Sequence, residues 1–377
     1  MSNTLTALAP TLFGVADEVA AEPAGALDAV NMNYDSKGVA VGGSVTIPIA
    51  PVASLGTYTP AMTTTAGTDK TATSVTVTLS TNQSTSWNLT GEDIRSLENG
   101  DTNRIEWARQ LVAQGMRAFR NAMAAAACTA IKQGGSRATG TAGTTPFAES
   151  LADLVAVRKI LRNNGSPFAD LQLVCNTDAY ANMLNLGVVQ QANLAGSDEE
   201  RRQGTLKPQY GFKIREDANI SAHTKGGGSS YVSDGIEAIG QTTLTVKTGS
   251  GTVLTGDIVT HALDTTNKYV VNTGITAAGS MVIGNPGLKI ATADETAWTI
   301  GAAYTPSFAF ERGAVVGVVR PPIIPAAPHI KQLNITDKYG LSYLLCEIVG
   351  DGMVTWRLNL AYVFQVIQSE FVALILG

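Results

Sequence analysis

The feature that most constrains this chain is a stretch without a single charged residue, from Gly38 to Thr68. It is too rich in glycine, proline and threonine to cross a bilayer as a helix. Residues Val45–Ile49 predict a strand with an edge proline, and Ser74–Leu79 predict its return partner. Because an isolated two-stranded hairpin is only marginally stable in water, we expect this excursion to lie against another surface.

Charge is scarce in the whole sequence. Charged residues make up 15% of the chain, against roughly 25% in an ordinary protein. Low charge suits a subunit that hides much of its surface against neighbours. The net charge of −5 argues against a protein whose main task is to grip phosphates, although local basic spots can still exist.

Helical patterns begin after the uncharged stretch. Thr90–Asp93 form a capping box for a short helix. Apolar residues from Ile105 to Ala130 then recur on one face of a long helix, which ends at Gly134 and Gly135. From residue 150 to residue 222 strands and helices alternate, which indicates a mixed α/β domain.

The sequence from 223 to 300 contains only strand patterns separated by turn residues. This spacing predicts a small sandwich or barrel inserted into the α/β domain. The glycine run 226–228 at its start predicts a flexible linker. Near-continuous apolar residues at 314–319 then predict a strand buried on both faces, and three more strands are predicted before residue 377.

The residues that catalysis or metal binding would need form no known pattern. The motifs of nucleophile elbows, zinc proteases, phosphate loops and dinucleotide sites are missing from the sequence. The histidines His223, His261 and His329 have no partner at ligand spacing. We therefore interpret them as satisfied or exposed side chains, and we expect no enzyme, no metal and no cofactor.

Three stretches and the order of the parts carry a family resemblance. They are Val174–Tyr180, Phe310–Ala314 and the closing Gly350–Gly377. Together they resemble the major capsid protein of tailed double-stranded-DNA phages. Within that family the chain is similar to the short-tailed-phage coat proteins that carry an inserted β-barrel domain.

The resemblance implies an α+β fold of the tailed-phage and herpesvirus capsid type, divided into six segments. These are an N-terminal arm (1–37), an E-loop (38–90), a peripheral domain with a long spine helix (91–149), an axial domain (150–222), an inserted all-β barrel domain (223–300), and a return of the axial and peripheral domains with a C-terminal sheet (301–377). Some relatives crosslink their shells through a lysine. The only lysine of this E-loop is Lys70, and nothing nearby would activate it, so we expect no covalent crosslink.

The resemblance also implies a function and partners. Such proteins assemble as pentamers and hexamers into an icosahedral shell around double-stranded DNA, which they bind without sequence specificity. Scaffolding protein and a portal take part, and the procapsid expands during maturation. The location implied is the virion capsid, assembled in the cytoplasm of a bacterial host, with no membrane.

Four residues near the base of the E-loop are candidates for contacts between subunits. Glu92, Asp93 and Arg95 could form ion pairs across the interface, although a solvated helix face is the alternative. Trp87 could anchor an interface, and ordinary packing is its alternative.

Two other classes of protein remain open at this stage. One is another self-assembling protein, such as a decoration, tail-tube or surface-layer protein, which would explain the low charge but would not need the long helix. The other is an enzyme with a β appendage, which the missing motifs argue against.

Overall fold

The computed structural model describes residues 23–32, 40–49, 73–98, 101–190, 204–325, 327–337 and 340–377. The helices are α1 (Gly25–Ala29), α2 (Gly91–Glu98), α3 (Asp101–Gln133), α4 (Ala152–Asn163), α5 (Thr177–Asn185) and α6 (Gly187–Gln190). The strands are β1 (Ser44–Ile49), β2 (Thr73–Thr78), β3 (Thr81–Thr90), β4 (Arg137–Gly140), β5 (Leu171–Cys175), β6 (Phe212–Glu216), β7 (Val232–Ser233), β8 (Thr243–Lys247), β9 (Ile258–His261), β10 (Asp264–Thr273), β11 (Gly279–Ile283), β12 (Trp298–Ile300), β13 (Pro306–Glu311), β14 (Val315–Arg320), β15 (Ile330–Thr336), β16 (Ser342–Val349), β17 (Met353–Val366) and β18 (Val372–Leu376).

A five-stranded sheet is built around the long strand β17. Strand β16 pairs with residues 354–359 of β17, β14 pairs with residues 361–366, and β3 pairs antiparallel with residues 353–362. Strand β15 completes the sheet beside β16. Two of these strands, β3 and β15, were not predicted from the sequence.

The long helix predicted from the apolar period is α3, which runs for 33 residues. Its inward residues, among them Met116, Phe119 and Met123, are buried in the main core. It ends at Gly134 because the chain passes close to β17 there: a Cβ on Gly134 would lie 2.5 Å from the Val366 side chain. The helix and its glycine stop are therefore confirmed.

A second sheet joins the α/β part to the β-rich part. Its hydrogen-bonded path runs β6-β5-β13-β18-β4-β10-β11-β8-β7. Helices α4 and α5 cover the β5 end and share a core with it, which includes Leu161, Leu173 and Met183. The predicted alternation of helix and strand is confirmed here as α4, β5, α5 and β6.

Residues 223–300 are all-β, as the turn pattern predicts, and they have a core of their own around Tyr269 and Trp298. Their strand pairings, however, do not form a closed barrel. Strands β7 and β12 do not pair as a ladder; the segments next to them are joined by a bridge from Val232 to Ala297 and by backbone hydrogen bonds from the Ser233 amide to the Thr296 carbonyl and from the Trp298 amide to the Tyr231 carbonyl, both at 2.9 Å. Strand β10 also pairs with β4, so the region continues the host sheet.

The glycine run at 226–228 is not a flexible linker, which corrects the prediction from composition. The Gly226 amide donates to Asp257 at 3.1 Å from each carboxylate oxygen, and the Gly228 amide donates to the Thr252 carbonyl at 2.7 Å. A Cβ at Gly226 would lie 2.2 Å from that same carbonyl oxygen. Glycine is present because two segments pack tightly together, and not because the chain must move.

Candidate assembly surface

The uncharged stretch begins as a regular antiparallel hairpin of β1 and β2, as the sequence predicts. Ser44 pairs with Thr78 and Ile49 with Thr73. Pro48 lies opposite Ser74 and is exposed, the position a strand proline can tolerate. Residues 50–72, including Lys70, lie outside the described residues.

The hairpin base is anchored to its own subunit by one apolar face. Ile47 and Val77 are buried and pack with Val316 and Val318 of β14 in a small separate core. At the root of the hairpin, the Gly42 amide donates to the Leu79 carbonyl at 2.8 Å. The two ends of the hairpin therefore meet on the sheet.

The opposite face of the hairpin is exposed and carries no charge. It consists of Ser44, Thr46, Pro48, Ser74, Thr76 and Thr78. Hydroxyl groups on such a face can form hydrogen bonds in a contact without the desolvation cost that a charged group would have. This face is the part of the predicted assembly surface that the structure describes.

Strand β3 extends this uncharged surface along the edge of the five-stranded sheet. Within the described residues its only strand partner is β17, so its other edge is unpaired. The side chains Asn82, Ser84, Ser86 and Asn88 are exposed, and the strand contains no charged residue. Edge strands are normally protected by charge, because an unprotected edge pairs with other chains.

Trp87 packs within its own subunit. It is half-buried, lies opposite Trp356 on β17, and belongs to the apolar residues that line the main core. A Cβ on Gly115 of α3 would lie 3.9 Å from its ring. The structure therefore places Trp87 between β17 and α3.

The three charged candidates lie on α2, where Glu92, Asp93 and Arg95 are all exposed. Asp93 completes the predicted capping box: its carboxylate accepts from the Thr90 amide at 3.0 Å and from the Thr90 hydroxyl at 2.7 Å. These hydrogen bonds lower the pKa of Asp93. Among the described residues, neither Glu92 nor Arg95 has an ion-pair partner.

The structure brings together one titratable pair that sequence spacing does not reveal. The Nε2 atom of His223 lies 2.8 Å from a carboxylate oxygen of Asp257, and both side chains are buried. Asp257 also accepts from the amides of Gly226 and Leu254. With these contacts it ties the start of the β-rich region to the turn before β9. This contact is a structural fastening, because backbone amides already donate hydrogen bonds to the Asp257 carboxylate.

The other candidate chemistries gain no support from the described part of the chain. No group of three or more potential metal ligands occurs among the described residues. None of the described helices combines the length and apolar composition that crossing a bilayer requires. His261 contacts the Trp298 ring and Ser233 within the β-rich core, and His329 is exposed.

Comparison with known proteins identifies the fold. No protein-family model matches this sequence, and no curated protein matches it either. A structure from Mycobacterium phage Che8 is 15% identical with a TM-score of 0.51, and the match covers 93% of this chain and 90% of that chain. The capsid structure of cyanophage P-SCSP1u is 11% identical with a TM-score of 0.50, covering 95% and 89%. The chain therefore has the mixed α+β fold of phage capsid structures.

Proposed function

We propose that this chain is the structural subunit of a capsid, which assembles with copies of itself into a closed icosahedral shell around double-stranded DNA. The observation that carries the proposal is the β1–β2 hairpin. One of its faces is anchored on β14, and its other face is exposed and uncharged. The likeness to phage capsid structures supports the same function.

The exposed face of the hairpin can be covered by a second copy of the chain. A hairpin with two buried side chains of its own, Ile47 and Val77, gains little stability from burial. A second copy of the chain can add contacts to the hairpin face and to the β3 edge through main-chain hydrogen bonds and hydroxyl groups. Closed shells need many modest contacts of this kind, repeated by symmetry.

The remaining parts of the proposal follow the family resemblance. Subunits form pentamers and hexamers, scaffolding protein and a portal assist assembly in a bacterial cytoplasm, and the procapsid matures when DNA is packaged. The chain is a component of the virion and has no enzymatic role. Lys70 forms no crosslink, so the subunit runs as a monomer on a denaturing gel.

We also propose a role for each segment of the chain. The six segments keep the boundaries predicted from the sequence. Within the E-loop, the β1–β2 hairpin is the part that contacts a neighbour, since β3 belongs to the sheet of its own subunit. The region 223–300 is a barrel-like insertion. Glu92 and Arg95 are the exposed charges next to the hairpin that could pair with a neighbouring subunit.

Electron microscopy of the purified intact chain tests this function. We expect closed shells of uniform diameter, alone or after addition of the matching scaffolding protein. Flat sheets or open tubes would instead indicate a surface-layer or tail-tube protein. Compact monomers under both conditions would contradict the capsid proposal.

A further inference from the structure

A basic hollow lies where β4, α4 and the start of β10 meet. Its volume is about 390 Å³, and the charged residues of its lining are Arg137, Lys159 and Lys268. This volume falls at the lower end of the range for small-molecule sites. The hollow is separate from the hairpin and from the edge of β3, so the assembly surface does not explain it.

Arg137 is the most unusual residue of this hollow, because its side chain is buried and forms no direct ion pair with the described residues. Only 5% of the residue is exposed. Its guanidinium donates to the amide oxygens of Asn164 and Asn267, while its Nε atom has no partner among the described residues. Burial lowers the pKa of Arg137, and the charges of Tyr269 and Asp264 act against that shift. A buried cation held only by neutral amides is costly, so an anion here would remove an existing penalty.

The two lysines of the hollow, Lys159 and Lys268, supply positive charge that such an anion could contact. Lys159 is exposed and makes no hydrogen bond or ion pair with the described residues. Lys268 is half-buried and donates to the Gly140 carbonyl. The acidic groups nearby are Asp153 and Asp264; Asp264 already accepts from Asn267 and from the Tyr269 hydroxyl at 2.6 Å. Positive charge therefore exceeds negative charge around the hollow.

The basic lining continues into an adjoining hollow of about 450 Å³ on the same helix. Lys159 and Asn163 belong to both hollows, and the second adds Arg158 and Arg162. The guanidinium of Arg162 lies 4.8 Å from the centre of the Phe168 ring, which holds the side chain in place. A chain with a net charge of −5 thus concentrates five cations around α4.

We infer that the hollow lined by Arg137, Lys159 and Lys268 is a binding site for a phosphate group. A phosphate offers more acceptor oxygens than a carboxylate and carries up to two charges, which suits several converging cations. The phosphate could be free in solution or part of a nucleic-acid backbone. This inference does not depend on shell formation, since an unassembled subunit would retain the site.

Calorimetric titration of the intact chain with inorganic phosphate, at constant ionic strength, tests the site directly. We expect saturable binding that Lys159→Gln weakens about tenfold, the loss expected for one charge-assisted hydrogen bond. Lys225→Gln is the matched control, because Lys225 is also an exposed lysine but lies outside both hollows. No saturable binding, or equal weakening by both substitutions, would overturn the inference. Lys159 is exposed, so its substitution should leave the circular dichroism spectrum unchanged.

A second titration distinguishes the two sources of phosphate. Fluorescence anisotropy with a short DNA duplex would show tighter binding than inorganic phosphate, again weakened by Lys159→Gln, if the site takes a backbone phosphate. Duplex binding no tighter than that of inorganic phosphate would assign the site to free phosphate. Binding of polyglutamate in place of phosphate would show a carboxylate site and contradict the inference.

Discussion

Two regions adjoin different sheets of the fold and are stabilised differently: the β1–β2 hairpin packs on β14 of the five-stranded sheet, and the β-rich region continues the other sheet through β4 and β10. The β-rich region 223–300 has a core of eleven buried residues and a buried fastening between His223 and Asp257. The β1–β2 hairpin contributes Ile47 and Val77 to a small core and leaves a full face exposed. The β-rich region is stabilised by a core of its own, whereas the hairpin has two buried side chains and relies on packing against another surface. This difference is the reason why we propose that the hairpin, and not the β-rich region, contacts a neighbouring copy.

The largest effect is expected when charge is placed on the exposed face of the hairpin. Thr46 and Thr76 are directly opposite each other and both are exposed. Changing both to Glu should cost the subunit about 1 kcal/mol or less, because the side chains point to solvent. It should abolish shells, because each carboxylate would lose several kcal/mol of hydration in the contact.

Particle counts by electron microscopy measure this outcome, with circular dichroism to verify folding. The control changes the same two residues to Ser, which keeps the hydroxyls and should keep shell formation. Normal shells from the Glu variant would place the hairpin face outside the interface.

The next effect compares the cores of the two regions. Tyr269 is fully buried, and its hydroxyl bonds Asp264 and accepts from the Lys289 amide at 2.9 Å. Tyr269→Ala should cost about 3–5 kcal/mol, whereas Val77→Ala in the hairpin should cost about 2 kcal/mol. Urea unfolding followed by tryptophan fluorescence measures both, since Trp298 reports on the β-rich core. Equal losses would remove the distinction between the regions.

The His223–Asp257 fastening provides a smaller effect. Asp257→Asn removes the charge and replaces one acceptor oxygen by a donor, so the Leu254 amide loses its acceptor if the new NH₂ group takes the Oδ2 position, and the contact with His223 Nε2 is altered if it takes the Oδ1 position. We expect a loss of about 1–3 kcal/mol in urea unfolding. Asp351→Asn, in an exposed turn, should stay within about 0.5 kcal/mol. A similar small change for Asp257 would show that the fastening contributes little.

The smallest effect concerns the cap of α2. Thr90→Ala removes the hydroxyl hydrogen bond to the Asp93 carboxylate at 2.7 Å and the capping hydrogen bond that this hydroxyl accepts from the Asp93 amide at 3.2 Å. The Thr90 backbone amide still donates to Asp93, so the pKa of Asp93 should rise part of the way toward its ordinary value of 3.8. Because the folded pKa is lowered, the cap adds stability above that value and loses it as the pH falls through the folded pKa. The melting temperature of the variant should therefore be lower than that of the wild type near neutral pH, because the helix has lost its cap. The difference should shrink in acid, and Thr90→Ser should behave like wild type.

The elements with strong local signals could be predicted from the sequence. The apolar period of α3, the capping box at Thr90, and the alternation in β1 and β2 all reflect contacts between near neighbours. Strand β3 was missed because its sequence, Thr81–Thr90, is polar and becomes a strand through pairing with β17. Strand β4 has no signal in the sequence, because four residues ending in a glycine are too short to show a period.

The sites that depend on distant residues could not be predicted. His223 and Asp257 are 34 positions apart, and Arg137 meets Lys268 only because β4 pairs with β10. Sequence spacing does not predict either contact, because both contacts depend on how the strands pair in the sheet. The barrel that the family resemblance implies for 223–300 likewise depends on strand register, and the strand pairings do not confirm it.

We propose that the exposed face of the hairpin contacts a neighbouring copy of the chain. The most direct measurement is electron microscopy of the chain in which residues 44–78 are replaced by a short glycine–serine link, beside the intact chain. The link is feasible because Gly43 and Leu79 are already hydrogen-bonded at 3.0 Å. We predict a folded subunit that forms no shells, whereas normal shells from this variant would contradict the account.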